Sequence, residues 1–137
     1  MDSLELVYQD DAVRLFWDTS AKYHIAEWRG LAVGEKLRTA AHACLTASRE
    51  RTSTMWLADV SDFAMVDLED QVWIATEFYP LLARNGVRHV AFVIPAQAPS
   101  STSVRRTNAS YAEKGRIRFQ YFATRAEAIR AFSAPPT

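Results

Sequence analysis

Alternating apolar and polar positions open the chain and predict β-strands. In residues 4–8 and again in 13–17, apolar side chains recur at every second position, which is the period of a strand with one buried face. Short polar links separate these segments, as in β-hairpins. The predicted strands cover residues 4–9, 13–18 and 22–28. We therefore expect an antiparallel three-stranded meander at the start of the chain.

The period changes to that of a helix after Gly34. Apolar or small side chains then fall at i, i+4, i+7, i+8 and i+11, which is one stripe of a helix. The residues of this stripe are Leu37, Ala41, Cys44, Leu45 and Ser48. Uninterrupted apolar runs at 55–60 and 88–94 predict two interior strands.

A second helix is predicted between these two runs, over residues 68–84. Pro80 lies inside it and cannot donate a backbone hydrogen bond to the carbonyl of Thr76, so we expect a kink near that turn. The pair Asn85-Gly86 supplies a residue that adopts the left-handed conformation with which many helices end.

The last third of the chain repeats the alternation of helix and strand. A loop over 95–103 leads into a helix predicted at 104–114, and residues 117–121 alternate as in a strand with one wet face. Thr124 and Glu127 have the spacing of a capping box, which predicts the start of a final helix.

The predicted order of elements is βββ-α-β-α-β-α-β-α. Strand–helix alternation requires crossover connections and hence a parallel portion of sheet. The fold class is therefore α/β, with a mixed sheet in which an antiparallel meander precedes βα units and about four helices cover it. A length of 137 residues suits a single domain, expected over 1–133 with a short flexible tail at 134–137.

Charge and cysteine content exclude several classes of function. Sixteen basic residues balance sixteen acidic ones, so no overall field attracts nucleic acid or anionic lipid. The N-terminus lacks the basic start and apolar run of a secretory signal, and no apolar segment approaches the roughly 20 residues that span a bilayer. With Cys44 as the one cysteine, these features predict a cytoplasmic protein that binds neither membrane nor nucleic acid.

Candidate catalytic groups do not form a recognisable set. His24, His42 and His89 are scattered, and none has a second ligand at the spacing of a metal site. Cys44 lies on the apolar stripe of the first helix, where a thiol acts as a small hydrophobe. We predict no catalytic residues, no metal and no cofactor.

An acidic step follows the fourth predicted strand, and it consists of Asp59, Ser61, Asp62, Asp67, Glu69 and Asp70. Ligands and chemistry are often found at this end of the strands in α/β sheets. Three interpretations of the step compete. Asp67 can cap the second helix by accepting from the amides of residues 69 and 70. Asp59, Asp62 and Asp67 can hold a divalent cation, or Ser61 can be phosphorylated.

The pattern Asp59-x-Ser61-x5-Asp67 at a strand-to-helix step resembles the anti-sigma-factor antagonist domains, the STAS or SpoIIAA-like superfamily. Members of that superfamily show Asp-x-Ser, a spacer and then Asp-Ser-Ser-Gly, in which a partner kinase phosphorylates one serine. When Asp67 is matched to the second Asp, residues 68–70 are Leu-Glu-Asp. The resemblance therefore implies a domain of this kind without the usual phosphoacceptor serine.

The whole chain is more similar to a branch of small bacterial proteins described as STAS/SEC14-like. The motifs that carry this resemblance are Trp28-Arg29-Gly30, Trp56-Leu57-Ala58-Asp59, Trp73 with Phe78, Tyr79 and Pro80, Gly86, and Tyr121-Phe122. The resemblance implies a SpoIIAA-like fold.

Our leading expectation is a non-catalytic regulatory domain that binds a protein partner or its own copy, as a homodimer. Trp73, Phe78 and Tyr79 lie on different faces of the predicted second helix, so at least one of them is expected to meet a partner. The expected interaction surface comprises Asp59, Ser61, Asp62, Asp67, Glu69, Trp73 and Tyr79.

Two further expectations concern ligands. Arg105 and Arg106, near the start of a predicted helix, are candidate anion contacts. The alternative function is a carrier or sensor of a small apolar ligand, held in an aromatic-lined pocket that the 95–103 loop would gate.

Overall fold

The computed structural model describes residues 3–112 and 115–133, in which helices pack on a six-stranded sheet. The strands are β1 (Leu4–Gln9), β2 (Val13–Asp18), β3 (Tyr23–Gly30), β4 (Met55–Phe63), β5 (His89–Val93) and β6 (Arg118–Phe122). The helices are α1 (Glu35–Glu50), α2 (Leu68–Trp73), α3 (Tyr79–Arg84), α4 (Ser101–Ala112) and α5 (Arg125–Ser133). The predicted tail at 134–137 and the predicted helix end at 113–114 lie outside the described residues.

Strand neighbours in the sheet follow the order of the chain, from β1 at one edge to β6 at the other. The pairs β1–β2 and β2–β3 are antiparallel, whereas β3–β4, β4–β5 and β5–β6 are parallel. The predicted fold class, a mixed sheet with an antiparallel start followed by βα units, is confirmed.

The two faces of the sheet are covered unequally. Crossovers between parallel strands are right-handed almost without exception, and in a sheet built in chain order this puts successive helices on one face. Leu37 of α1, Leu82 of α3 and Val104 of α4 share one core with the strand residue Trp56. The opposite face has a smaller core, to which α5 contributes Ala128.

Strand β4 is longer than the sequence analysis predicts. The expected end at Val60 is wrong, since the strand continues to Phe63. The extension forms because β3 also continues, so that Gly30 pairs with Phe63 and accepts a hydrogen bond from the amide of Ala64 at 2.8 Å. Ser61 therefore lies inside a strand and not in a loop.

A π-turn, Ile74–Phe78, joins α2 to α3 in the segment where the sequence predicts a kink. The amide of Tyr79 donates to the carbonyl of Ile74, five residues earlier. Thr76 donates its hydroxyl to the carbonyl of Val72 at 2.7 Å, and Pro80, which has no donor, sits at the start of α3. The π-turn thus provides the irregular segment that a mid-helix proline requires.

Helix α3 ends as the Asn85-Gly86 pair predicts. Gly86 has a φ of +103°, and the amide of Val87 donates to the carbonyl of Leu82 at 3.1 Å. This six-residue closure satisfies a carbonyl that the helix end would otherwise leave free.

Strand β3 carries a buried histidine. His24 is 1% exposed, and its ring stacks on Trp56 with 4.5 Å between ring centroids. Trp17 packs against the same ring at 4.7 Å. Burial, with a smaller contribution from the Arg51 guanidinium, lowers the pKa of His24 to about 4. The imidazole is therefore neutral at pH 7 and acts as a core aromatic group.

Stability should fall in acid through His24. Between its unfolded pKa of 6.5 and its folded pKa of about 4, the unfolded chain binds a proton that the folded protein does not bind. The free energy of unfolding should drop by about 3 kcal/mol as pH falls through this window. Urea denaturation at pH 7 and pH 4 should show that His24→Leu removes this part of the pH dependence of the free energy of unfolding. His42→Leu, a control on the exposed side of α1, should retain it, and equal losses in both variants would contradict the assignment.

Candidate functional site

The acidic step does not form one surface. Asp59 and Ser61 project from β4 toward the face covered by α5, because they alternate with the core residues Ala58 and Val60. Asp62 pairs with Arg29 near the carboxyl ends of β4 and β3, whereas Asp67 directly precedes α2 and Glu69 and Asp70 lie in its first turn. The sequence-predicted site residues therefore separate into two groups.

Arg125, the first residue of α5, joins the carboxylates of two neighbouring strands. Its guanidinium lies 2.5 Å from Glu27 Oε2 and 2.9 Å from Asp59 Oδ2. Glu27 also pairs with Arg14 at 2.8 Å, and the Ser61 hydroxyl donates to Asp59 Oδ1 at 2.6 Å. We call these five residues the arginine clamp.

The clamp pairs the half-buried carboxylates of Glu27 and Asp59 with a positive charge. Burial alone would lower the pKa of Arg125, but hydrogen bonds to Glu27 and Asp59 outweigh burial and raise it. Thr124 helps to position the arginine, because its hydroxyl accepts from the amide of Glu127 at 3.2 Å at the start of α5. The Asp59–Ser61 part of the step is therefore occupied in holding a helix to the sheet.

Asp67 does not cap α2. It has extended backbone angles at the N-cap position, but its side chain accepts no capping hydrogen bond, so the expected contact with the amides of residues 69 and 70 is wrong. Other contacts fix this helix start. The amide of Val66 donates to Ser103 Oγ at 2.9 Å, and Gln71 Nε2 donates to the carbonyl of Val66 at 3.0 Å.

Asp70 is the buried member of the step, with 1% of its surface exposed. Its Oδ2 accepts from the amide of Gly34 at 2.9 Å, and its Oδ1 lies 3.8 Å from Arg38 Nε. It therefore connects α2 to the start of α1 and is not a solvated first-turn residue. A signal was present in the sequence, since Asp70 continues the stripe of Val66 and Ile74 at intervals of four.

Apolar side chains are exposed beside these acidic residues. The loop after β3, the loop after β4 and helix α2 present five of them, and we call this set the apolar rim: Leu31 (59% exposed), Val33 (45%), Met65 (43%), Leu68 (66%) and Val72 (63%). Two hydrogen bonds, from Ala64 to Gly30 and from Gly34 to Asp70, hold the loops together. Glu69, which is exposed, and Asp67, which is half-buried, lie on the same segment.

Trp73 and Tyr79 take different positions. Trp73 is half-buried, and the Arg38 guanidinium lies over its ring at 5.1 Å. Tyr79 is buried in the core, where its hydroxyl donates to Asn108 Oδ1 at 2.5 Å and burial raises its pKa. Phe78 is buried as well. Tyr79 thus does not belong to the surface expected for it, because the π-turn lets two successive aromatic residues face the interior.

Arg105 and Arg106 do not form one anion site. Arg105 donates to Ser101 Oγ at 3.2 Å, and its guanidinium lies 4.3 Å from the centre of the Tyr121 ring. Arg106 is exposed and faces α2 across a surface groove that includes Leu68. The two neighbouring arginines therefore serve different surfaces.

An apolar cavity of about 80 Å³ lies between the sheet and the helices. The aromatic residues that line it are Trp28, Trp56, Phe63, Phe78, Tyr79 and Phe92. A cavity that binds benzene measures about 150 Å³, so this one is smaller than the space a single aromatic ring requires. Helix α4 contributes Val104 to the lining, whereas residues 95–103, predicted as a loop but helical from Ser101 onward, contribute none of the lining residues.

The single cysteine of the chain, Cys44, is buried. Burial raises the pKa of the Cys44 thiol to about 12, which removes it as a nucleophile at neutral pH. Within residues 3–112 and 115–133, no group of three or more His, Cys, Asp or Glu residues is placed to hold a metal ion. No helix among the described residues has both the length and the apolar character needed to span a bilayer.

Solved structures share this architecture. An uncharacterised protein of the DUF3478 family with a SpoIIAA-like fold, from Shewanella loihica PV-4, superimposes with a TM-score of 0.58 at 13% identity, over 94% of this chain and 91% of that one. The chain has the SpoIIAA-like fold. An anti-sigma factor antagonist from Mycobacterium paratuberculosis matches with a TM-score of 0.57 at 14% identity, over 97% of both chains. No protein-family model matches the sequence, and a search of curated proteins finds no match.

The SpoIIAA-like fold of this chain should depend on the arginine clamp for part of its stability. Asp59→Asn removes the charge that accepts from Arg125 and Ser61, and should lower the free energy of unfolding by about 1–2 kcal/mol. Asp62→Asn, an exposed carboxylate on the same strand, should change it by less than about 0.5 kcal/mol. Urea denaturation at pH 7 measures both values, and similar losses would show that the clamp contributes nothing specific.

Proposed function

We propose that the chain is a non-catalytic, STAS-like regulatory domain that acts by binding another protein through the apolar rim. The observation that carries this proposal is the exposure of five large apolar side chains on two adjoining loops and one helix. Exposed apolar side chains that are concentrated on adjoining segments favour an interaction site, and the neighbouring carboxylates favour one orientation of the partner. The structurally similar anti-sigma factor antagonist is, by its name, a protein that acts on another protein.

The regulatory mechanism that we infer does not use phosphorylation of the acidic step. Leu68 and Glu69 occupy the two positions at which the resemblance implies serines, one of them the phosphoacceptor. The remaining hydroxyl, that of Ser61, donates to Asp59 within the arginine clamp on the α5 side of the sheet. A phosphoryl group on Ser61 would place new negative charge beside Asp59 and Glu27, which electrostatic repulsion disfavours.

A second candidate function, the binding of a small apolar ligand, is supported by the aromatic-lined cavity. At about 80 Å³ the cavity is far below the 300–1,000 Å³ or so of typical ligand sites. A carrier function therefore requires the π-turn or its neighbours to move apart. Native mass spectra of freshly purified protein would support this candidate by showing a co-purified apolar molecule, and the bare mass of the chain would count against it.

Binding through the apolar rim can be tested by charge insertion. The double variant Leu31→Lys/Met65→Lys should lose the proteins that the wild type captures from an extract of its own cells, because burying two lysines at an apolar interface is costly. It should also lose any self-association that sedimentation detects in the wild type.

The matched control for this experiment is Leu6→Lys/Ile129→Lys, which charges two exposed apolar residues outside the rim. This control should capture the same proteins as the wild type. The proposal fails when the rim variant and the control retain, or lose, the same set of bound proteins.

Ser61 should remain unmodified. After incubation of the protein with cell extract and ATP, mass spectrometry of the peptide that contains Ser61 should show no added phosphate, because the hydroxyl is held by Asp59 at 2.6 Å. Ser53 on the loop before β4 serves as a reference hydroxyl in the same digest. Stoichiometric phosphate on Ser61 would overturn the inferred mechanism. It would not test binding through the apolar rim, which the charge-insertion variants test.

A further inference from the structure

An open groove follows the outer surface between the α2–α3 segment and α4. Its two walls run in the same direction, since Ser103 near the start of α4 accepts from the amide of Val66, just before α2. The groove encloses about 830 Å³, roughly ten times the volume of the internal cavity. It is therefore the larger of the two recesses and is directly accessible from solvent.

The floor of the groove is mainly apolar. Leu68, Val72 and Pro80 are exposed along one line of the α2–α3 segment, and Ala75 lies between them. The hydroxyl of Thr76, which is also in the lining, is already donated to the carbonyl of Val72. A partner that covers this floor consequently leaves few polar groups without hydrogen bonds.

Three arginines stand along the edges of the groove. Arg106 lies opposite Leu68, whereas Arg84 and Arg116 belong to the other end. All three are exposed, and none forms an ion pair with a residue that the structure describes. Among residues 3–112 and 115–133, which the structure describes, no acidic residue lines the groove. The described lining is thus locally basic in a chain with no net charge.

The shape of the groove favours an elongated occupant. The wall from Leu68 to Arg84 is helical, and at about 1.5 Å per residue it extends roughly 24 Å. A helix of about 16 residues has the same length. Helices dock in such grooves by placing apolar residues at i, i+3, i+4 and i+7 on the floor.

We propose that this arginine groove binds an acidic amphipathic helix of a partner protein. The inference rests on the proposed function and adds the chemistry of the partner. Leucine-like side chains of the partner cover Leu68, Val72 and Pro80, while its glutamates or aspartates pair with Arg84, Arg106 and Arg116. The apolar floor supplies affinity, and the arginines at the two ends select negative charge and set the register.

Fluorescence anisotropy with a synthetic probe tests the inference. The probe is a labelled helical peptide of about 16 residues, with leucine at every third or fourth position and glutamate on the flanks. The purified wild-type chain should bind it, and the same peptide with lysine in place of glutamate should bind at least about tenfold more weakly. Equal binding of both peptides, or no binding of the acidic one, would overturn the proposal.

Two triple variants separate the groove from a general effect of charge. Arg84→Glu/Arg106→Glu/Arg116→Glu should weaken binding of the acidic peptide by at least about tenfold. The matched control, Arg49→Glu/Arg118→Glu/Arg130→Glu, changes the net charge equally at exposed sites outside the groove and should stay within about twofold of the wild type. Equal losses in the two variants would exclude a specific groove.

A single substitution covers the case in which a triple variant does not fold. Ser110→Glu places a carboxylate on the α4 wall, so it should weaken binding of the acidic peptide. Thr39→Glu, at an exposed position of α1, should not weaken it.

Vesicles of phosphatidylglycerol test whether the groove binds a lipid surface instead of a protein. Arginine-dependent binding to vesicles that exceeds binding to the peptide would replace the protein partner by a lipid surface and overturn the inference.

The rim variant distinguishes this inference from the proposed function. Leu31 and Met65 do not line the groove, so Leu31→Lys/Met65→Lys should bind the acidic peptide as the wild type does. Rim-dependent capture without peptide binding removes the groove inference alone. Peptide binding without rim-dependent capture supports the groove and removes the proposed function.

Discussion

Right-handed crossovers in a sheet built in chain order are the constraint on which the rest of the structure depends. Because each parallel strand is added on the same side of the previous one, α1, the α2–α3 segment and α4 all pack on one face. That face receives the large aromatic core. The other face is left for α5, which follows the last strand, and a short helix with a small core needs an additional attachment. The arginine clamp supplies it.

The same constraint explains why the acidic step has two roles. Parallel strands β3 and β4 end at one edge of the sheet, so their following loops meet and display the apolar rim. Residues of β4 that alternate away from the helical face point instead toward α5, and their carboxylates are used by Arg125. The charged residues of one short segment therefore hold α5 to the sheet on one side and border the proposed binding surface on the other.

Residue periodicity, together with the uninterrupted apolar runs of β4 and β5, is sufficient to predict the order of elements. Helices and outer strands bury one face and show a period, whereas β4 and β5 bury both faces. These patterns are not sufficient to predict the site. Arg125 is 66 residues from Asp59 in the chain, and no local pattern reveals such a pair. An uninterrupted α-helical period predicts Tyr79 at the surface, but the segment contains a π-turn that changes which residues face the core. The position of Asp70 within an apolar stripe indicates that its side chain is buried. Its contact with Gly34 depends on tertiary packing, which the local sequence does not reveal.

The burial of Cys44 has a practical consequence for studying this domain. Cys44 is buried on the inner side of α1 and its pKa is raised to about 12, so we expect it to react poorly with maleimides and not to form disulfide-linked dimers in air. Any self-association of the purified chain should therefore be noncovalent. A cysteine introduced at one surface position becomes the only readily labelled thiol, so dyes and crosslinkers can be placed one site at a time on a chain that keeps its native cysteine.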